Sequence, residues 1–104
     1  GWVVHVDHFG NCITNIRRST LADAAGLDDA HPPLDAFPPF KLYAGNTVLR
    51  ELQPTYGAVP EEDPLLLLCS TNHLEIAANG GNAAERLDIR KGDSVKLVFE
   101  EPSE

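Results

Sequence analysis

Short runs of alternating apolar residues, separated by turn-forming residues, are the feature that most restricts how this chain can fold. Successive side chains of a β-strand point to opposite faces, so a period of two indicates a strand with one buried face. Runs of this type lie at 2–7, 11–16, 40–44, 47–52, 73–78 and 94–100, and a further strand-like run at 65–70 begins with five consecutive apolar residues. Helical patterns are confined to two short segments, at 19–25 and 82–87. The sequence therefore predicts an all-β fold, a small closed Greek-key β-barrel with one or two short helices.

Size and charge limit the possible partners. A chain of 104 residues that is 42% hydrophobic has enough apolar side chains for one compact core. Its net charge of −8 repels nucleic acid and anionic membrane surfaces, so we expect neither as a partner. The longest apolar run, Leu65 to Cys69, is far shorter than a membrane-spanning helix. It predicts instead a strand that is buried on both faces.

The two cysteines and the start of the chain indicate its setting. Cys12 and Cys69 each lie in a strand-like run without a second cysteine nearby. We interpret them as buried free thiols rather than a disulfide or a metal pair, which favours a reducing, cytoplasmic environment. The chain begins abruptly, because a strand-like run follows Gly1 at once. This start predicts that residues 1–104 are one domain of a longer protein.

The stretch VDHFGNCITNI, residues 6–16, has polar residues and a glycine where a core strand would be apolar. Gly10 allows the backbone to pass close to a ligand, and Asn11 offers donors and an acceptor for the edge of a heterocycle. Phe9 offers a ring that can stack on that heterocycle. The alternative is a bulge in the strand, in which Asn11 bonds only to local backbone.

Two further patches combine turn residues with potential ligand contacts. In PTYGAVP, Tyr56 lies in a Pro/Gly loop, where it is either a lid over a ligand or an aromatic packed over the barrel mouth. In CSTNHLEIAANGGNAAERL, N–H groups at a helix start can meet a ring nitrogen or an anion. The alternative for this patch is a Gly-rich loop in which Asn82 is the helix N-cap.

Catalytic motifs do not accompany these patches. His5, Asp7 and His8 do not converge on one face of a strand, so no metal site is predicted. The sequence has no nucleophile elbow, phosphate-binding loop or paired catalytic carboxylates. The chain therefore has features that hold a ligand, without evident machinery to transform one.

Three segments, taken in order, resemble one known family. VDHFGNCITNI, PTYGAVP and STNHLEIAANGGNAAERLDIRKGDSV are similar to the C-terminal domain of the S-adenosylmethionine hydroxide adenosyltransferases, the group that includes the bacterial fluorinating and chlorinating enzymes. The resemblance covers most of the chain except the Pro-rich loop at 28–40, which is longer than the family pattern implies. It implies that residues 1–104 follow an N-terminal α/β domain. It also implies a homotrimer, in which S-adenosylmethionine binds between the N-terminal domain of one subunit and this domain of the next.

The resemblance also implies a reaction. Hydrolase members use water or hydroxide to convert S-adenosylmethionine, their substrate, into adenosine and L-methionine, and we expect no cofactor. The residues that activate the water belong to the N-terminal domain, so this domain alone is expected to be inactive and to contain no catalytic residue. Halogenating members have an Arg at the position that follows the serine equivalent to Ser70, and an aromatic residue two positions after the asparagine equivalent to Asn11. This chain has Thr71 and Ile13 there, which favours hydroxide over halide.

The resemblance further implies binding roles for the adenine part of the ligand. Asn11 would hydrogen-bond the adenine edge, and Phe9 and Tyr56 would pack on its faces. The backbone around Asn82 and Ala83 would meet ring nitrogens.

For the methionine part, Asp7 would hold the ammonium and Ser70 would help to bind the carboxylate. A cationic sulfonium ligand with a zwitterionic tail needs an aromatic slot, an amide and a carboxylate side by side, which accounts for the interrupted strand.

Two other hypotheses for the function of the domain stay open. In one, the domain is a ligand-free barrel that serves oligomerisation; in the other, it binds nucleic acid, which the acidic charge disfavours.

Overall fold

The computed structural model describes residues 1–27, 37, 39–45, 47–54, 57, 59, 63–69 and 71–99. Seven strands and two short helices lie in this part of the chain, in the order β1 (Val3–Val6), β2 (Cys12–Arg17), α1 (Arg18–Ala24), β3 (Phe40–Ala44), β4 (Thr47–Leu49), β5 (Pro64–Leu68), β6 (His73–Ala78), α2 (Ala83–Arg86) and β7 (Val95–Phe99). The predicted class, β-strands with one or two short helices, is confirmed.

The strands form two antiparallel sheets, ordered β1-β2-β6-β5 and β4-β3-β7. Their edges meet at two seams, where Trp2 pairs with Ser94 beside β1 and β7, and Leu52 pairs with Leu66 beside β4 and β5. Each seam is one isolated bridge, and no ladder crosses it within the described ranges. The predicted closed Greek-key barrel is therefore not found. Closure needs edge strands that pair along their length, and the edge strands β1 and β4 have only four and three residues.

The main core contains residues of both sheets. Its fully buried members include Val3, Cys12, Thr14, Leu42, Leu66, Leu74 and Ile76. The one hydroxyl among them is satisfied, because Thr14 Oγ1 donates to the Leu74 carbonyl at 3.0 Å. A polar side chain thus enters the core without leaving a buried group unpaired.

Strand β5 is buried on both faces, as its continuous apolar sequence predicts. Leu66 packs in the main core, while Leu65 and Leu67 pack with Ala77 in a second cluster on the opposite face. A strand covered on both sides has no polar face to alternate with, which explains its run of leucines.

Both helices are short and lie close to their predicted positions. Helix α1 spans Arg18–Ala24, so its first and last residues each lie one position before those of the predicted segment 19–25. Gly26 follows the helix with φ of +75°. Glycine adopts this left-handed conformation without a steric cost, so it ends the helix. In the part of the chain that the structure describes, no helix is long and apolar enough to cross a membrane.

Candidate functional site

The interruption in the first strand-like stretch is a hairpin turn. Strands β1 and β2 are antiparallel neighbours, with Val6 opposite Cys12, and residues Asp7 to Asn11 (the 7–11 turn) connect them. Asp7 N donates to Asn11 O, and Gly10 N donates to Asp7 O, both at 3.0 Å. The polar residues therefore connect two strands and are not a bulge within one strand.

The carboxylate of Asp7 organises the turn. Its Oδ1 accepts hydrogen bonds from Phe9 N and Asn11 N, both at 2.9 Å. Its Oδ2 accepts a third hydrogen bond, from Asn11 Nδ2 at 3.1 Å. Aspartate is favoured in turns because its side chain can bond backbone N–H groups a few residues further along the chain. A carboxylate has about four lone-pair directions, so about one remains for a ligand.

Gly10 docks the turn against the start of helix α2. Its φ is +83°, and a Cβ at this position would overlap the side-chain amide of Asn82. The Gly10 carbonyl accepts a hydrogen bond from Ala84 N at 2.9 Å. Asn82 Oδ1 in turn accepts from Glu85 N at 3.0 Å, so Asn82 is the N-cap of α2. The close approach requires glycine, and it joins two segments that are far apart in the sequence.

A cavity of about 750 Å³ opens where the turn and the helix start meet. It is lined by Asp7, Phe9, Asn11, Ala78, Gly80, Gly81 and Asn82. This volume is within the range of small-molecule sites in proteins. The lining combines one carboxylate and two amides with an aromatic ring, so it can pair with both donors and acceptors of a polar heterocycle.

Two of the side chains that line the cavity, Asn11 and Phe9, differ in exposure. Asn11 is only 9% exposed, and its amide is held by Asp7. Phe9 is 72% exposed, and its ring makes an edge contact with the His8 ring at a centroid distance of 5.5 Å. The geometry thus offers an oriented hydrogen-bonding group beside a ring that is largely accessible for stacking.

Four predicted site residues, Asp7, Phe9, Asn11 and Asn82, come together in this cavity. Ala83 lies next to it but is fully buried in the main core. The predictions for Tyr56 and Ser70 fall outside the described residues.

Three lining residues were not named from the sequence as ligand contacts. They are Ala78, Gly80 and Gly81, at the end of β6 and in the loop that follows. Ala78 and Gly81 form an isolated bridge that folds this loop back on the strand. The paired glycines in ANGGN were the available signal, because glycines often mark backbone that passes close to a ligand.

The environment behind the cavity is acidic. Cys12, a free and buried thiol next to the turn, has its pKa raised to about 11, first by burial and then by the charges of Asp7, Asp93 and Glu75. The second cysteine, Cys69, is also a free thiol and is half-buried. A thiol with so high a pKa stays protonated at neutral pH, so Cys12 is no nucleophile. Among the described side chains, no group of three or more His, Cys, Asp or Glu could hold a metal ion.

Comparison with known proteins identifies the family of this chain. Residues 1–96 match the family described as the SAM hydroxide adenosyltransferase C-terminal domain. A relative named (R)-S-adenosyl-L-methionine hydrolase, from Thermus thermophilus, is 30% identical over 98 residues; the match covers 94% of this chain and 31% of the relative. The chain thus spans about a third of that protein's length.

Two solved structures have the same fold over most of this chain. An uncharacterized conserved protein from Thermotoga maritima superposes with a TM-score of 0.70 at 28% identity, covering 94% of this chain and 35% of that one. A conserved hypothetical protein from Thermus thermophilus gives a TM-score of 0.69 at 31% identity, covering 94% of this chain and 34% of that one.

The fold and the cavity define a small two-sheet β domain with a cavity of about 750 Å³ between a hairpin turn and a helix start. The match over residues 1–96 is more specific. The chain belongs to the family of SAM hydroxide adenosyltransferase C-terminal domains.

Proposed function

We propose that this chain is the adenosine-binding C-terminal domain of an S-adenosylmethionine hydrolase. The observation that carries the proposal is the cavity in which Asp7, Phe9, Asn11 and Asn82 meet, in a chain that matches this family over residues 1–96. In the proposed reaction water or hydroxide attacks C5′ of the ribose and the C5′–S bond breaks, with its electron pair going to sulfur. The products are adenosine and L-methionine.

The binding roles follow from the chemistry of the cavity. The Asn11 amide bonds the adenine edge, and Phe9 stacks on one face of the base. Stacking of a base on an aromatic ring contributes about 1–3 kcal/mol. Asp7 attracts the ammonium of the methionine part through its remaining lone-pair direction, and the acidic surroundings of the cavity favour a cationic ligand.

The remaining predicted contacts complete the proposed site. Tyr56 covers the second face of the base, Ser70 assists at the methionine carboxylate, and backbone groups near Asn82 and Ala83 meet ring nitrogens. Ile13 and Thr71 stand where the halogenating members have other residues, which supports water or hydroxide as the nucleophile.

The domain works as part of a longer protein in this proposal. An N-terminal α/β domain of a neighbouring subunit, in a homotrimer, supplies the groups that activate water, and this domain supplies binding, orientation and exclusion of solvent. No residue of this chain is catalytic, and the isolated domain is inactive. The two free thiols are in keeping with a reducing, cytoplasmic setting.

The test is substrate kinetics of the complete gene product that contains this chain, here called the full-length protein. We expect Asn11→Ala to raise KM for S-adenosylmethionine at least several-fold, because an amide that pairs with adenine contributes about 1–3 kcal/mol of discrimination. Asn15→Ala is the matched control, because it removes another asparagine side chain that makes one hydrogen bond, accepted by Asn15 Oδ1 from Trp2 N at 2.9 Å, but that lies outside the cavity. Hydrolysis with an unchanged KM in Asn11→Ala would contradict the adenine role. Absence of hydrolysis in the unmodified protein would contradict the proposed reaction.

A further inference from the structure

The hydrogen bond between Asp7 and Asn11 fixes which way the Asn11 amide points. A carboxylate oxygen accepts hydrogen bonds and does not donate them, so the amide atom that faces Asp7 Oδ2 at 3.1 Å is the nitrogen. The amide oxygen then lies on the opposite side of the planar group. Because Asn11 is only 9% exposed and lines the cavity, its orientation decides which atoms a ligand meets.

Asp7 is itself held in place by the backbone. Its Oδ1 is shared by the N–H groups of Phe9 and Asn11, which leaves Oδ2 directed at the amide. The turn is anchored in addition by the hydrogen bond from Ala84 N to Gly10 O. The orientation of the amide is therefore a product of the folded turn and does not depend on a ligand.

We propose that Asp7 is a positioning residue that sets the donor and acceptor pattern of Asn11, and so makes the site select a 6-aminopurine over a 6-oxopurine. The inference rests on the proposed adenosine site. With one N–H of Asn11 bound to Asp7, the other N–H and the Oδ1 remain for the base. That pair matches the ring nitrogen and exocyclic amine of adenine, the pairing that asparagine commonly makes with this base. A 6-oxopurine places an acceptor against Asn11 Oδ1 instead.

The first measurement compares nucleosides on the unmodified full-length protein by isothermal titration calorimetry. We expect adenosine to bind about tenfold or more tightly than inosine, in keeping with the cost of one mismatched bidentate contact. Purine riboside, which has only hydrogen at position 6, should bind with intermediate affinity, because it loses the donor without adding an opposing acceptor.

The second measurement uses Asp7→Asn in the full-length protein. The amide introduced by this substitution keeps an oxygen for the two backbone N–H groups and places an NH₂ group where Oδ2 was, so the Asn11 amide gains by turning its oxygen toward it. The cavity then meets the ligand with a donor in place of Oδ1. We expect the adenosine preference over inosine to fall about tenfold or more, with inosine binding maintained or improved. Asp93→Asn is the matched control, because Asp93 Oδ2 also accepts a backbone hydrogen bond, from Arg90 N at 2.9 Å, outside the cavity.

The outcomes separate this inference from the proposed function. Equal binding of adenosine and inosine to the unmodified protein would overturn the inference and leave the adenosine site standing. Equal weakening of both nucleosides by Asp7→Asn, with an unchanged ratio, would show a merely structural role for Asp7 and would also overturn it. If Asp7→Asn fails to fold, the order of the three nucleosides decides, and inosine binding at least as tight as purine riboside refutes the inference. No adenosine binding at all would overturn the proposed function and the inference together.

Discussion

The contact between Gly10 and Asn82 makes a quantitative prediction about stability. Gly10→Ala places a non-glycine residue at φ of +83° and a Cβ inside the volume of the Asn82 amide. The left-handed backbone alone costs about 1–2 kcal/mol for a residue with a side chain. Displacing Asn82 also removes the N-cap bond to Glu85 N, worth about 1 kcal/mol. Weakening the Ala84 N to Gly10 O bond adds about 1 kcal/mol.

Gly26 provides a matched control for the backbone term. Its φ is +75°, and a Cβ there would meet no atom within 4 Å. Gly26→Ala should therefore lower the free energy of unfolding by about 1–2 kcal/mol only. Gly10→Ala should lower it by about 3–4 kcal/mol, the same backbone term plus the two lost interactions.

The assay is urea unfolding of the 104-residue chain, followed by fluorescence of its single tryptophan, Trp2, and by circular dichroism. A third variant isolates the steric contact. In an Asn82→Ala background the added Cβ at position 10 meets a small side chain, so the further cost of Gly10→Ala should fall to about 1–2 kcal/mol. The reasoning is refuted if Gly10→Ala is no more destabilising than Gly26→Ala, or if the two changes at positions 10 and 82 are simply additive.

The remaining predictions concern two buried groups outside the cavity lining, Thr14 and Cys12. Thr14→Val should lower the free energy of unfolding by about 1–3 kcal/mol in spite of the similar size of valine, because the Leu74 carbonyl loses its hydroxyl donor. Thr14→Ser is the control, since serine keeps the hydroxyl and should keep that bond. Equal losses of unfolding free energy for the two variants in a urea titration would contradict this reason. Alkylation of Cys12 by iodoacetamide should be slow at pH 8 and should accelerate as pH rises toward its pKa of about 11. Since the unfolded thiol ionises near 9.0, stability from the protonated Cys12 is present below that pH and is lost as pH rises through 11, which a pH series of urea midpoints measures. Fast alkylation of folded Cys12 at pH 8 would contradict its buried environment.

The strands could be predicted from the sequence because their information is local. Alternation of apolar residues located six of the strands, and the continuous leucine run at 65–68 located the remaining strand and correctly predicted its burial on both faces. Barrel closure could not be predicted in this way. It depends on whether Trp2 and Ser94, or Leu52 and Leu66, extend into full ladders, and these pairs are distant in sequence. The alternation of apolar residues shows which face of a strand is buried, but it does not show over how many residues an edge strand pairs with its neighbour.

The sequence predicted several residues of the candidate site but not how they are arranged in space. The polar residues of the 7–11 turn stood out against a strand background, and the family resemblance added Asn82. These residues come together because Ala84 N donates a hydrogen bond to Gly10 O, and a contact between residues so far apart in sequence cannot be predicted from local patterns. The role of Asp7 as acceptor for the turn was also missed, although an aspartate side chain in a turn often accepts a hydrogen bond from the backbone N–H two residues further along the chain, as Asp7 does from Phe9.

The join between Gly10 and Ala84 also determines when the cavity can exist during protein synthesis. One wall belongs to the 7–11 turn and the other to residues from Ala78 to Asn82, so a nascent chain that has emerged only as far as β5 has one wall without the other. Domains generally fold as units as they leave the ribosome. The ligand therefore cannot guide the early steps of folding, and a truncated translation product would present the polar turn to solvent without a cavity behind it.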